Sequence, residues 1–315
     1  MAISHNIVDA ARYFAYCLRY PSRIDILQQS FGIARRARDF APEWELHRSL
    51  CRAFVRECLA LDRTIESVNI VGAGRLLDID VKYLPMRVRH IALFDVDPSV
   101  AQIWKAFAQY CSALECAVTT HSVDITGIFD SLPKQLELIL KKDSIDHISN
   151  IKDCISSFQQ NLKPLTIPAA DLTLSINILS QLPILFRERI IQLLLRYRLI
   201  SDEAQLPEQI KSTVENLCCE IQKCHIECLM QSSGKMIALI SDSEFQYYKP
   251  GIEERQIENA LYLHPEMLMT EHKLKLHTQW MWHIAPYGRN PEDYGSEHLV
   301  DAWAWQREQS ANSCD

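Results

Sequence analysis

The chain has 315 residues, 48% of them apolar and 23% charged, which is enough for one large buried core and excludes the disordered and fibrous classes. Its formal net charge is −7. That argues against a nucleic-acid partner, whose phosphates draw affinity from a basic surplus, so Arg35, Arg36 and Arg38 read as one solvated helix face.

Residues 1–65 carry helical spacing and no strand signal. Val8, Ala11, Phe14, Ala15 and Leu18 recur on one face, and Pro21 closes that helix. A second pattern runs from Glu43 through Leu46, Leu50, Phe54 and Leu61. The N-terminus lacks a charged region followed by an apolar stretch, and no apolar run reaches the roughly 18–20 residues that span a bilayer. A cytoplasmic protein without a membrane segment is the expectation.

The texture then changes. Val68-Asn69-Ile70-Val71 is a short strand delivered into the turn Gly72-Ala73-Gly74. A helix over Arg75 to Leu84, ended by Pro85, leads to a second strand, His90 to Phe94, ending at Asp95. A helix from Pro98 to Leu114 precedes the third strand, Ala117 to Val123, ending at Asp124. Residues 130–166 read as an inserted helical element. The fourth strand, Asp171 to Ile176, precedes helix Ile184 to Leu199 and a long helix from Pro207 to Met230. That helix holds Cys218, Cys219, Cys224, His225 and Cys228, whose spacing suits buried thiols rather than a zinc knuckle. No metal is expected there, and the 11 cysteines of the chain read as free thiols. A fifth strand, Met236 to Ser241, follows. Two aromatic strands, Gln279 to Ile284 and His298 to Trp305, end the chain, joined by the loop Pro286 to Gly295.

Strands alternating with helices predict an α/β, Rossmann-like doubly wound parallel sheet. The last two strands have only a loop between them, and parallel neighbours need a dozen or more connecting residues. They are therefore expected as a C-terminal antiparallel β-hairpin, in a sheet of seven strands. Ligands of such sheets sit at the carboxyl ends of the central strands. Four strand ends carry suitable groups. Gly72-Ala73-Gly74 allows a sharp turn and close approach of bare backbone. Asp95 can accept both hydroxyl hydrogens of a ribose, while Asp97 caps the next helix ahead of Pro98. In Ser122-Val123-Asp124-Ile125, the carboxylate can accept from an adenine amino group while Val123 or Ile125 packs on the ring. Ser175-Ile176-Asn177 closes strand four at the mouth of the same crevice.

The runs VNIVGAGRLLDID, IALFDVDPS, HSVDITGIF and DLTLSINILSQL, in that order, resemble motifs I to IV of class I S-adenosylmethionine-dependent methyltransferases over residues 66–305. The resemblance implies S-adenosyl-L-methionine as cofactor, with its methionine near the glycine turn. The binding set it implies is Gly72, Ala73, Gly74, Asp95, Val96, Val123, Asp124, Ile125, Ser175 and Asn177. Two positions depart from the family. Ile70 stands where an acidic residue is usual, and Leu76 replaces the third glycine. They leave two alternatives, an inactive methyltransferase-like binding protein and a nicotinamide-dinucleotide protein. The second also fits strand, GxG and acidic residue, but lacks the third glycine of its own motif at Leu77.

Strand four ends without the Asn/Asp-Pro-Pro-aromatic motif that holds a flipped base, so a small-molecule acceptor is expected, and a protein less so. Alignment alone supplies much of the catalysis in methyl transfer. The groups expected at the mouth are Asn177, Gln181, His283 and Tyr287. Trp280, Trp282, Trp303 and Trp305 read as hairpin core. Residues 1–65 are expected to form a lid on an α/β domain of residues 66–315. In that lid Tyr13, Phe14, Tyr16 and Tyr20 would shape the acceptor pocket and exclude water.

Overall fold

The computed structural model describes residues 2–142, 146–289 and 294–308. Three helices come first, α1 (Ala2–Arg19), α2 (Ile24–Asp39) and α3 (Ala41–Leu61). Then follow β1 (Ser67–Val71), α4 (Leu84–Arg87), β2 (His90–Asp95), α5 (Ala101–Ser112) and β3 (Ala117–Ser122). The inserted element is a helix pair, α6 (Ser131–Leu140) and α7 (His147–Asn161). Next are β4 (Ala170–Ile176), α8 (Gln181–Arg196), α9 (Glu208–Ser232), β5 (Ser233–Tyr248), β6 (Gln256–Asn259), β7 (His272–Ala285) and β8 (Gly295–Arg307).

The sheet has eight strands in the order β3-β2-β1-β4-β5-β8-β7, with β6 paired to β5. The first five strands of that order run parallel. β8 lies antiparallel to both β5 and β7, so the closing hairpin is inserted with its second strand innermost. Strands β4 and β5 are buried along almost their whole parallel length, as expected of strands covered on both faces. One face carries α3, α5, Trp280 and Trp282 in a single apolar cluster. The other carries Ile226 and Leu229 of α9 with Trp303 and Trp305, while α6 to α9 share a third cluster. The cysteine-bearing helix matches expectation, since Cys218, Cys224 and Cys228 are buried thiols, and burial pushes the first up to about 12.

Two expectations are corrected. The segment after the glycine turn is a series of turns, and the helix starts only at Leu84 with Pro85 in its first turn. Asp80 is the cause, because its carboxylate accepts from Lys82 N and Tyr83 N and offers the backbone an alternative to helix. The sheet has eight strands rather than seven, β6 being four exposed residues without alternation. The loop from Pro286 to Gly295 lies partly outside the described residues.

The preface is also built differently. Tyr13 and Tyr16 pack on Phe31 of α2, with ring centroids 5.5 and 6.3 Å apart, and Phe14 is 66% exposed. The residues that enter the core come later, from Ile26, Leu27 and Phe40 onward. Leu27→Ala, at a fully enclosed position, is expected to cost about 2–5 kcal/mol. Removing residues 1–20 is expected to cost far less, and denaturant unfolding of the two variants distinguishes these values. Similar losses would place α1 in the core.

Candidate functional site

β1, β2, β4 and β5 run parallel, so their carboxyl-side residues lie along one edge of the sheet. After β1, Gly72 and Ala73 both donate to Phe94 O, at 2.9 and 3.1 Å, which curls the chain across the end of β2. Gly72 has φ +73° and Gly74 φ +46°, the left-handed region that favours glycine. The two glycines serve different neighbours. A Cβ on Gly72 would lie 2.6 Å from Ile178 Cβ, so that glycine makes room for protein. At Gly74 the nearest atoms are Asp95 Oδ2 and Gly72 O, both 3.9 Å away, so its bare face looks across a gap at Asp95. Leu76, at the place of the third glycine, also has a left-handed φ of +58°.

Asp95 ends β2 with both oxygens held by backbone. Gly74 N donates to Oδ2 at 2.8 Å and Asp97 N to Oδ1 at 2.9 Å. Burial raises its pKa to about 6 against these two donors. Asp97 accepts from Ser99 N at 2.7 Å, the capping role expected of it. Arg75 reaches past the turn to Ser30 Oγ of α2 at 3.2 Å and Ser99 Oγ at 3.4 Å, tying α2 over this end of the crevice.

The adenine-side candidates are mixed. Val96, Val123 and Ile125 are half-buried and pack on the apolar clusters. Asp124 accepts three hydrogen bonds from its own loop, from Thr126 N, Thr126 Oγ1 and Phe129 N at 2.9, 2.6 and 2.8 Å. A carboxylate has about four acceptor positions, so one is left. Ala73 is buried, and Ser175 is fully enclosed with Oγ 2.8 Å from His225 Nε2 on α9. Ser175 therefore faces away from the crevice, which corrects its placement in the binding set. Burial holds His225 neutral, with a pKa near 4.

Asn177 stands past the end of β4 at φ +54°, its backbone N–H on Ile240 O at 2.8 Å. The turn aims its side chain under α3, where Nδ2 donates to Asp78 Oδ2 at 3.0 Å and lies 3.1 Å from His47 Nε2. His47 is buried, stacked on Trp282 with centroids 3.9 Å apart, and accepts at Nδ1 from Trp280 Nε1 at 3.1 Å. Beside this group Asp242 is fully enclosed on β5, accepting from Ser180 Oγ at 3.0 Å and Gln181 Nε2 at 3.5 Å. His298 Nδ1 lies 3.3 Å from its other oxygen, and this neighbour holds the Asp242 carboxyl low despite the opposing effect of burial.

Asn177 and Gln181 reach Asp78 and Asp242 respectively, while His283 is directed elsewhere. Side chains alternate along a strand, and Trp280 and Trp282 point at His47. His283 takes the opposite face, 2.8 Å from Glu297 Oε1. Tyr287 is 40% exposed in the loop after β7. The sequence reading missed His47, Asp78, Asp242 and His298, which come from α3, the turns after β1, β5 and β8.

No known protein family matches the sequence, and no curated protein matches it. Solved structures similar to the chain include TehB from Haemophilus influenzae, at 7% identity and TM-score 0.40, covering 81% of this chain and 61% of that one. The chain therefore spans about three fifths of the TehB structure. The O-methyltransferase TomG from Streptomyces achromogenes, solved with SAM, aligns at 11% identity and TM-score 0.33, over 87% of this chain and 88% of that one. The Burkholderia thailandensis 1,6-didemethyltoxoflavin-N1-methyltransferase, solved with S-adenosylhomocysteine, aligns at 13% identity and TM-score 0.33, over 90% of both chains. Likeness at these levels adds nothing to what strand order and residues establish. With five parallel strands and β8 antiparallel between β5 and β7, the chain has a Rossmann-like α/β fold closed by an antiparallel C-terminal pair, as the sequence leads one to expect.

Proposed function

We propose that the chain binds S-adenosyl-L-methionine across this crevice and transfers its methyl group to a small-molecule acceptor. The observation that carries the reading is the pairing of Asp95 with Gly74. A carboxylate fixed by two backbone donors stands against a glycine whose bare side has only ordinary contacts, 3.9 Å to Asp95 Oδ2 and to Gly72 O, which suits the approach of a ribose. Half-buried Val96, Val123 and Ile125 offer the apolar wall for a base. The bound cofactor supplies a methyl group on a sulfonium centre. The chain's part is to hold acceptor and methyl in line, and alignment of that kind accounts for much of such a rate.

A dinucleotide suits the site less well. Pyrophosphate binding in Rossmann proteins uses the N-terminus of a helix that starts at the glycine turn. Here the turn runs into further turns, and α4 begins only at Leu84.

Calorimetric titration with S-adenosylmethionine, S-adenosylhomocysteine and NAD tests the reading. The first two are expected to bind and NAD to give no heat. Binding of NAD with neither of the others would replace the proposal by the dinucleotide alternative. Binding without methyl transfer to any acceptor would leave a binding protein.

A further inference from the structure

Helix α1 is apolar on two opposite sides. At about 100° per residue, Tyr13 and Tyr16 fall on one side, where they pack on Phe31 of α2. Ala11, Phe14, Ala15 and Leu18 fall a half turn round, and all four are exposed. Phe14 keeps 66% of its surface in water and Leu18 85%. A surface helix ordinarily turns its apolar side to the core and its polar side outward. Single exposed hydrophobic residues need no account, but four at one helical spacing form a continuous stripe.

The rim of that stripe is basic. Arg12 and Arg19, seven residues apart, share one flank a quarter turn from it, and both are exposed. Asp9, the acidic residue of α1, is taken by Arg38 at 2.6 Å. Among the described residues Arg12 and Arg19 meet no carboxylate, and Arg19 lies over the Tyr20 ring at 5.4 Å. Residues 1–40 hold six arginines and three aspartates, with no lysine or glutamate, a balance of +3 in a chain whose total is −7.

An occupant of this face has to use both features. A second copy of α1 would cover the apolar residues, but antiparallel pairing about a two-fold axis sets the arginine flank against itself. Four residues of one helix also fall short of the roughly 1,200 Å² that a stable interface buries. A nucleic acid would meet the arginines and leave the stripe in water. Because Tyr13 and Tyr16 hold α1 along α2, only one side of the helix is available, which suits a flat surface rather than a groove that wraps a helix. An anionic lipid surface meets every one of these conditions. Phe14 and Leu18 enter the acyl boundary while the arginines stay at the level of the phosphates.

We infer that α1 docks the protein on an anionic lipid surface, with Phe14 and Leu18 inserted and Arg12 and Arg19 on the headgroup phosphates. The helix lies in the plane of the interface, and no helix among the described residues is long and apolar enough to cross a membrane. The inference stands apart from the methyl-transfer reading, and its test uses no cofactor.

The test is flotation of the full chain with vesicles of phosphatidylcholine, and with vesicles in which about a third of the lipid is phosphatidylglycerol. Binding to the anionic vesicles is expected to be at least about tenfold tighter than to the neutral ones, and to weaken at high salt, where the charges are screened. Arg12→Gln and Arg19→Gln should each weaken it about fivefold. Phe14→Ser and Leu18→Ser should each weaken it about tenfold or more. All four side chains are exposed, so the variants should melt with the wild type, and a melting curve for each checks that. Equal binding to both vesicles, no binding to either, or anionic binding that survives Phe14→Ser combined with Leu18→Ser overturns the inference. So does a dimer in light scattering that Phe14→Ser abolishes, which would give the stripe to a second copy.

Discussion

Asp95→Ala is expected to weaken S-adenosylmethionine binding by about ten- to 150-fold, the loss of roughly 1.5–3 kcal/mol from charge-assisted hydrogen bonds. The fold should survive. Gly74 N and Asp97 N lose their acceptor, a cost confined to the turn after β1 and the end of β2. The direction of the pKa shift sharpens the expectation. Burial lifts the carboxyl from 3.8 to about 6, so its favourable contribution to stability is complete below the unfolded value and is lost as pH rises through 6. Above that pH the ionised group weighs on the fold until ligand hydroxyls reach it. The alanine variant should therefore melt no lower than wild type at pH 7.5, while wild-type affinity should fall as the pH is taken from 7 to 5. Unchanged affinity in the variant, checked by calorimetry, would move the ribose role elsewhere or remove the site.

Gly72→Ala should do the opposite, costing stability first. Its φ of +73° strains any side chain, and the new methyl would meet Ile178 Cβ at 2.6 Å. Ile178 follows Asn177, itself left-handed at φ +54°, so neither partner has an easy direction of retreat. Left-handed strain of about 1–2 kcal/mol adds to overpacking of about 1–3, for a fall in melting temperature of roughly 5–15 °C. Gly74→Ala carries the same left-handed strain, at φ +46°, but no such collision, and should melt between wild type and Gly72→Ala. Its methyl points into the gap before Asp95, so cofactor affinity should drop as well. Equal melting of the two variants would show that the Ile178 contact gives way freely.

The parts of the site that follow a strand were legible in the sequence, because an apolar run ending in glycine or aspartate marks a strand end wherever it occurs. Gly74 and Asp95 were placed at the ends of β1 and β2 in this way. His47, Asp78, Asp242 and His298 were not, since each lies in a different part of the chain and no short spacing connects them. Leu76, Leu77, Ile79, Val81 and Leu84 imitate a helical stripe, and only the carboxylate of Asp80 turning back on its own backbone undoes it. Ser175 was misplaced for a related reason. A strand shows alternation, but which of its two faces meets the crevice depends on helices packed from far along the chain.

Leu76 bears on how this chain can change. Its backbone holds the shape that a glycine would supply, while its side chain is buried. Replacing it by glycine relieves about 1–2 kcal/mol of strain but removes about 2–5 kcal/mol of packing. The single step toward the family's motif therefore runs downhill in stability, and the intermediate is less fit to fold than either end. A glycine at position 76 therefore needs neighbours such as Ile79 and Leu84 enlarged to fill the space, and swapping position 76 in isolation misjudges what the turn tolerates.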